Sequence, residues 1–261
     1  MASTAISTDL FERDCKALVA LLQLRLVNGP MISQLKAVAR RILRPPLHSP
    51  EVRLPHVVLG TEYGGWPLLT GLTPVKPLIY GFGVGEDISF DLAAIEQFGA
   101  TVHAFDPTPR CRAWVERQTT PADFHFHAIG LGAEDGEAEF FAPEKDVNVS
   151  FSAKPAALSD KSQAVKAPVR RLSTIIADLG TGLPDVLKMD IEGFEYDVLD
   201  DLIASDLRPA QLLVEFHHRM YGIPNATTER QIDRLREAGY RIFYVSSGGH
   251  EYGMVHRSLL D

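Results

Sequence analysis

An α/β fold on a mostly parallel, doubly wound sheet is what this 261-residue sequence predicts, from three observations. Short apolar strands alternate with amphipathic helices from residue 77 onward, the pattern of parallel pairing with helices on both sheet faces. The first of these strands runs into a glycine-rich turn, Tyr80-Gly81-Phe82-Gly83-Val84-Gly85, ahead of a helix. The last two strands follow each other across Ser246-Ser247-Gly248-Gly249 with no helix between, so the sheet should close in an antiparallel hairpin.

Residues 1–46 read as a helical extension. Leu18, Leu21, Leu22 and Leu26 fall at helical spacing over 9–27, and Asn28-Gly29-Pro30 supplies a left-handed residue and a stop. A second helix over 31–43 gathers Ile32, Leu35, Ala39 and Ile42 on one face and Lys36, Arg40, Arg41 and Arg44 on the other, and Pro45-Pro46 closes it. These two helices are the candidates for a contact between copies of the chain. Residues 47–76, rich in proline and glycine, read as an irregular linker. The main domain then spans 77–261. Strands are expected at 77–82, 101–105, 124–130, 169–173, 185–190, 211–217, 240–246 and near 254–258, and helices at 87–98, 108–117, 173–179, 193–204 and 227–238. Residues 143–167 lack apolar periodicity, which suits either a mobile lid or a plain surface excursion.

Composition narrows the function. With 45% hydrophobic and 23% charged residues the chain can bury a sizeable core. A formal net charge of -8 argues against a dedicated nucleic-acid binder, whose affinity rests on neutralising phosphates. The two cysteines, Cys15 and Cys111, have neither disulfide-framework nor metal spacing, which fits a reducing, cytoplasmic setting. The apolar run at 17–27 is interrupted by Gln23 and Arg25 and is too short and polar for a transmembrane segment or a signal peptide.

In doubly wound sheets ligands lie at the carboxyl ends of the strands. Gly81, Gly83 and Gly85 would let one approach the backbone closely. A dinucleotide fingerprint starting at Gly81 needs a glycine at 86, and this chain has Glu86 there, followed by Asp87. Carboxylates at a helix entrance repel a pyrophosphate. A positively charged ligand is the better match, and S-adenosylmethionine carries an ammonium and a sulfonium. Asp106, with Thr108 beside it after the second strand, suits the ribose hydroxyls; the competing reading is a helix cap. Ala128, Ile129 and Gly130, at the end of the third strand, would lie beside the adenine.

These stretches, "GFGVGEDISFDL", "HAFDPTP", "HAIGLGAEDGEAEFF" and above all "LKMDIEGFEYDVLDDL" followed by "LLVEFHH", resemble the FkbM family of S-adenosylmethionine-dependent methyltransferases over residues 77–257. The resemblance implies a Rossmann-like, class I methyltransferase sheet of seven strands with the terminal hairpin. It also implies O-methylation of a hydroxyl on a sugar, glycan or glycosylated natural product. Class I methyltransferases often carry an acidic residue at the end of the first strand. This chain has Tyr80 there, so binding of the methionine end would fall to Glu86 or Asp87. Two alternatives compete: a nicotinamide-dependent sugar oxidoreductase, which Asp106 would also suit, and a non-catalytic binding module on the same fold.

The block at 187–199 holds three acids. Asp190 ends its strand, at the position facing the transferred methyl group in such a sheet, where a carboxylate can hold the methionine ammonium, orient an acceptor hydroxyl or ligate a metal. Glu192 is read as an acceptor or supporting contact. Glu195 is read as helix-terminal electrostatics that faces away from the site. On the following strand, alternation puts Leu213, Glu215 and His217 on one face. A carboxylate in an apolar strand calls for a charged partner or a metal. His217 is a candidate base; alternatively Asp190 with Glu215 or His217 holds Mg²⁺ and lowers the pKa of the hydroxyl. The spacing does not choose between these schemes. Tyr63 and Trp66 suit either sugar stacking or packing.

Overall fold

The computed structural model describes residues 45–141 and 164–260. The two helices expected within 1–46 and most of the 143–167 excursion lie outside them. The stretch expected to be an irregular linker instead carries β1 (His56–Leu59) and β2 (Trp66–Leu69), paired antiparallel with Leu59 opposite Trp66. Its proline is compatible with pairing because Pro67 stands in a two-stranded ribbon, where an edge is always open. Burial of Leu59, Trp66, Leu68 and Leu69 ties the ribbon to the core. The Leu69 amide donates to Gln211 Oε1 at 3.1 Å.

The chain continues through β3 (Leu78–Phe82), α1 (Ser89–Phe98), β4 (Thr101–Phe105), α2 (Pro109–Val115), β5 (Phe124–His127), β6 (Gly130–Leu131), β7 (Gly136–Phe141) and β8 (Ala164–Arg170). It ends with α3 (Leu172–Leu179), β9 (Val186–Met189), α4 (Glu195–Ala204), β10 (Gln211–Glu215), α5 (Asn225–Glu237), β11 (Tyr240–Val245), β12 (Glu251–His256) and a 3-10 turn. The seven-stranded sheet has the order β11-β12-β10-β9-β3-β4-β5. β12 runs antiparallel to both neighbours, closing the hairpin the sequence predicts. The other pairings in that sheet are parallel.

Side chains of the inner strands alternate between two apolar layers. Tyr80, Phe82, Leu187, Met189, Leu212 and Val214 pack with α3, α4 and α5. Ile79, Val102, Val186 and Leu213 pack with α1, α2 and the β1/β2 ribbon. Both faces are therefore covered, as a parallel sheet requires.

The segment between β5 and β9 departs from expectation. The single strand expected over 124–130 is broken: β5 ends at His127, and β6 joins a separate sheet of order β6-β8-β7. Gly130 permits the crossing, since a Cβ there would stand 3.1 Å from Val169 Cγ1 and 3.2 Å from Pro107 Cγ. Phe140 buries against Ala167, Val169 and Phe194. The strand expected at 169–173 lies earlier, at β8, and α3 takes over from Leu172. No helix of the described residues is long and apolar enough to cross a membrane.

From β3 the chain steps outward through β4 to β5 and returns on the other side as β9, so the strand order reverses between β3 and β9. The carboxyl ends of those strands, Phe82 beside Met189 in register, are where such a sheet opens a crevice.

Candidate active site

A cavity of about 380 Å³ occupies that crevice. Its floor is the turn after β3. Gly83 has φ +81, and a Cβ on it would stand 1.7 Å from the Asp190 carbonyl oxygen, so only glycine fits where β3 and β9 turn side by side. Asp106, buried at the end of β4, ties this turn down: its Oδ2 accepts from the Gly85 amide at 3.1 Å. Its Oδ1 accepts from the amide and the hydroxyl of Thr108 at 2.9 and 2.6 Å. Thr108 is the residue that caps α2, so Asp106 is set one step back and lines the cavity instead.

Gly130 and Leu131 line the cavity, whereas Ala128 and Ile129, expected beside the adenine, do not reach it. Ile129 packs against the apolar layer below the sheet because the chain crosses there to its second sheet. Tyr80 is likewise off the cavity. Its ring is fully buried against Phe82 and Phe105, and its hydroxyl bonds to that of Thr181. Glu86 lines the cavity but pairs with Arg110 at 2.8 Å. Asp87 accepts from the Thr61 hydroxyl and the Ser89 amide, each at 2.7 Å. Burial opposes its charge, but these bonds hold its carboxyl below the usual range.

The charged residues lining the cavity that sequence reasoning passed over include Asp91 from the first turn of α1 and Lys188 from β9. Lys188 was the visible signal, a single charge inside the apolar run Val186-Leu187-Lys188-Met189.

At the other end the acidic block converges on His217. Glu192 (φ +52) and Gly193 (φ +104) take left-handed backbone, and this turn delays the start of α4 to Glu195. The Glu195 side chain then folds back into the turn. It is fully buried, and it accepts from the Gly193 amide at 2.8 Å, the His217 amide at 2.9 Å and His217 Nδ1 at 3.2 Å. Glu195 does stand in the first turn of α4, as expected, but it faces into the site and not away from it. His217 lies beyond the end of β10. Its Nε2 sits 3.1 Å from Glu192 Oε2 and 3.7 Å from Asp190 Oδ1. The Tyr221 hydroxyl donates to Glu192 Oε2 at 2.5 Å.

Asp190 is divided between two environments. Its Oδ1 is buried without a hydrogen bond, yet the side chain is 32% exposed, so the rest of the carboxylate opens onto the cavity. Burial pushes its pKa up to about 6, with Lys188 opposing and Glu192 reinforcing. Burial and Asp190 push Glu215 up to about 9. His217 goes the other way: burial alone would lower it, but Glu192 and Glu195 together raise it to about 11. The ligating atoms of Asp190, Glu192 and His217 lie within 4.8 Å of one another. Glu215, expected to share a metal with Asp190, is outside that group and stands across from Glu251 on β12. Tyr63 sits 79% exposed on the cavity rim, while Trp66 is buried beneath Lys188, 5.2 Å from its ammonium.

A reversed strand order with a glycine turn after its central strand, an acid after the next and a cavity at the reversal defines a Rossmann-like α/β domain with its crevice at the switch point. The methyltransferase FkbM domain model matches residues 82–242, and the chain belongs to that family. Among curated proteins it is similar to the probable methyltransferase-like protein 24 of Homo sapiens, 24% identical over 176 residues, covering 64% of this chain and 42% of that one. The Rattus norvegicus counterpart is 25% identical over 177 residues with the same coverage. The chain thus spans less than half the length of the curated relatives it matches. Among solved structures it is similar to methyltransferase FkbM from Methylobacillus flagellatus KT, with TM-score 0.48 and 17% identity over 95% of this chain and 60% of that one. A fibrillarin pre-rRNA processing protein of Methanococcus jannaschii is similar at TM-score 0.45 and 12% identity, over 72% of this chain and 70% of that one.

Proposed function

We propose that this chain transfers the methyl group of S-adenosylmethionine to a hydroxyl of a sugar-type acceptor. The observation that carries the reading is one cavity joining the glycine turn and Asp106 to the cluster around Asp190. Methyltransferase family membership favours this over a nicotinamide-dependent oxidoreductase. Bound there, the donor supplies an activated methyl group and a good leaving group. The protein has to align the hydroxyl and accept its proton.

In this reading Asp106 receives the ribose hydroxyls, and Gly130 and Leu131 border the adenine. The proton goes to Asp190, which is ionised at neutral pH, opens onto the cavity and has a pKa near the working range. In this reading His217 is not given the base's role, because Glu192 and Glu195 on either side of it raise its pKa and favour the protonated ring. It serves instead to fix Glu192. Glu215, neutral at pH 7, can donate to an acceptor oxygen. A rim of carboxylates with the exposed Tyr63 ring suits a hydroxyl-rich acceptor.

Calorimetry with S-adenosylhomocysteine tests the donor site, and binding should weaken at least tenfold in Asp106→Ala. A panel of glycans and other hydroxylated compounds with labelled donor tests the acceptor. Turnover on an amine or thiol acceptor alone would overturn O-methylation.

A second reading has its own observation, the close approach of Asp190, Glu192 and His217. These would be the ligands of Mg²⁺ or a similar divalent cation, with Glu195 accepting from Nδ1 of the ligating imidazole as outer carboxylates do in metal sites. Turnover lost to chelator and restored by Mg²⁺ would establish it. A cytoplasmic setting and self-association through the N-terminal helices rest on the sequence alone.

A further inference from the structure

We propose that Asp91 and Lys188 form the subsite for the amino-acid end of the methyl donor, Asp91 receiving its ammonium and Lys188 its carboxylate. The inference rests on the donor reading above and concerns the charge that the first strand does not supply.

Gly81 is the Cα partner of Lys188 across β3 and β9. With no side chain at 81, the space above it is taken by its neighbours: a Cβ there would stand 3.3 Å from Asp91 Oδ1 and 3.8 Å from Lys188 Cδ. A negative and a positive side chain from two separate elements therefore meet over one glycine, on the cavity wall. Both are nearly sealed from solvent, Asp91 6% and Lys188 8% exposed. Charges so deeply buried demand compensation. Lys188 Nζ donates to the Gly83 carbonyl at 2.7 Å, which uses one of its three N–H groups. The influences that favour ionised Asp91 are the Lys188 charge and its own backbone N–H, and burial outweighs them. A zwitterion laid across the pair would satisfy both at once.

Of the residues that the sequence offers for this duty, Glu86 is paired with Arg110, Asp87 is bonded to Thr61 and Ser89, and Asp190 stands beside His217, where it takes the proton in the reading above. Asp91 is reached from the same turn, one helical turn further on.

The test compares two ligands by calorimetry. S-adenosylhomocysteine carries the amino-acid end, and 5′-methylthioadenosine lacks it. For Asp91→Asn and Lys188→Met, S-adenosylhomocysteine affinity should fall about tenfold to a hundredfold, as for loss of a charge-assisted hydrogen bond. Methylthioadenosine affinity should stay within about twofold of wild type in the same variants. Unchanged S-adenosylhomocysteine binding in both variants would overturn the subsite. Equal loss of both ligands would overturn it too, marking the pair as structural. A wild-type protein that binds neither ligand would sink the donor reading and this inference with it, which separates the two failures.

Discussion

Replacing Glu195 with glutamine changes one atom and leaves the volume of the site intact, so its effect isolates charge. The carboxylate receives three N–H groups, two on Oε1 from His217 and one on Oε2 from Gly193. Glutamine can keep its oxygen toward His217, but its NH₂ then faces the Gly193 N–H, donor against donor. One charge-assisted bond is lost and the one from the His217 amide becomes neutral, while the one from the His217 imidazolium keeps its charged donor; at about 1.5–3 kcal/mol for a bond to a charged group and about 1 for a neutral one, the expected destabilisation is about 3 kcal/mol. For a domain of this size that lowers Tm by about 6–12 °C. Urea unfolding should show the midpoint falling with an unchanged m-value. In parallel, the His217 ring, doubly protonated through neutral pH in the wild type, should titrate at lower pH once one of its two carboxylates is neutral. A loss below about 0.5 kcal/mol, or a wild-type His217 titrating in the ordinary histidine range, would show that the Glu195 charge does not hold His217.

Three further outcomes are expected. Asp190→Asn should lower turnover by about 10²–10⁴-fold, the range for a lost general base, while S-adenosylhomocysteine still binds; steady-state kinetics beside calorimetry checks this. Gly83→Ala should cost several kcal/mol or prevent folding, because its Cβ would run into the Asp190 carbonyl; soluble yield and thermal unfolding report it. His103→Phe should make stability less sensitive to acid. Burial and the neighbouring His127 and His125 lower His103 to about 4, so the unfolded chain takes up the proton first as pH falls. The contribution is complete above the unfolded value of about 6.5 and is lost on the way down to about 4. Wild type should therefore lose roughly 2 kcal/mol more than the variant between pH 7 and pH 5, read from urea melts at the two pH values.

The sheet was legible because its strands are short apolar runs with helices between them, and the closing hairpin because no helix intervenes. What failed was locally ambiguous. Pro67 and the surrounding glycines read as a linker, and only the burial of Trp66, Leu68 and Leu69 reveals a ribbon. Gly130 moves two residues into another sheet, a change no periodicity of so short a strand can signal.

The site divides the same way. Asp106 and Asp190 could be placed on the cavity because each directly follows a strand that ends there. Glu195 was misread because a helix expected from 193 puts it in an outward-facing first turn, whereas the left-handed Glu192 and Gly193 delay that helix. The meeting of Asp91 and Lys188 depends on the register of β3 with β9. It is a tertiary fact with no local trace beyond a lone lysine in an apolar strand.

Methyl transfer at this cavity requires a group to accept the hydroxyl proton, the role given to Asp190. The most direct measurement follows labelled methyl from S-adenosylmethionine into a hydroxylated acceptor, comparing wild type with Asp190→Asn at matched donor occupancy. The wild type should transfer the methyl group, and the variant, although it still holds the donor, should transfer little. Equal transfer by both would rule out Asp190 as the proton acceptor.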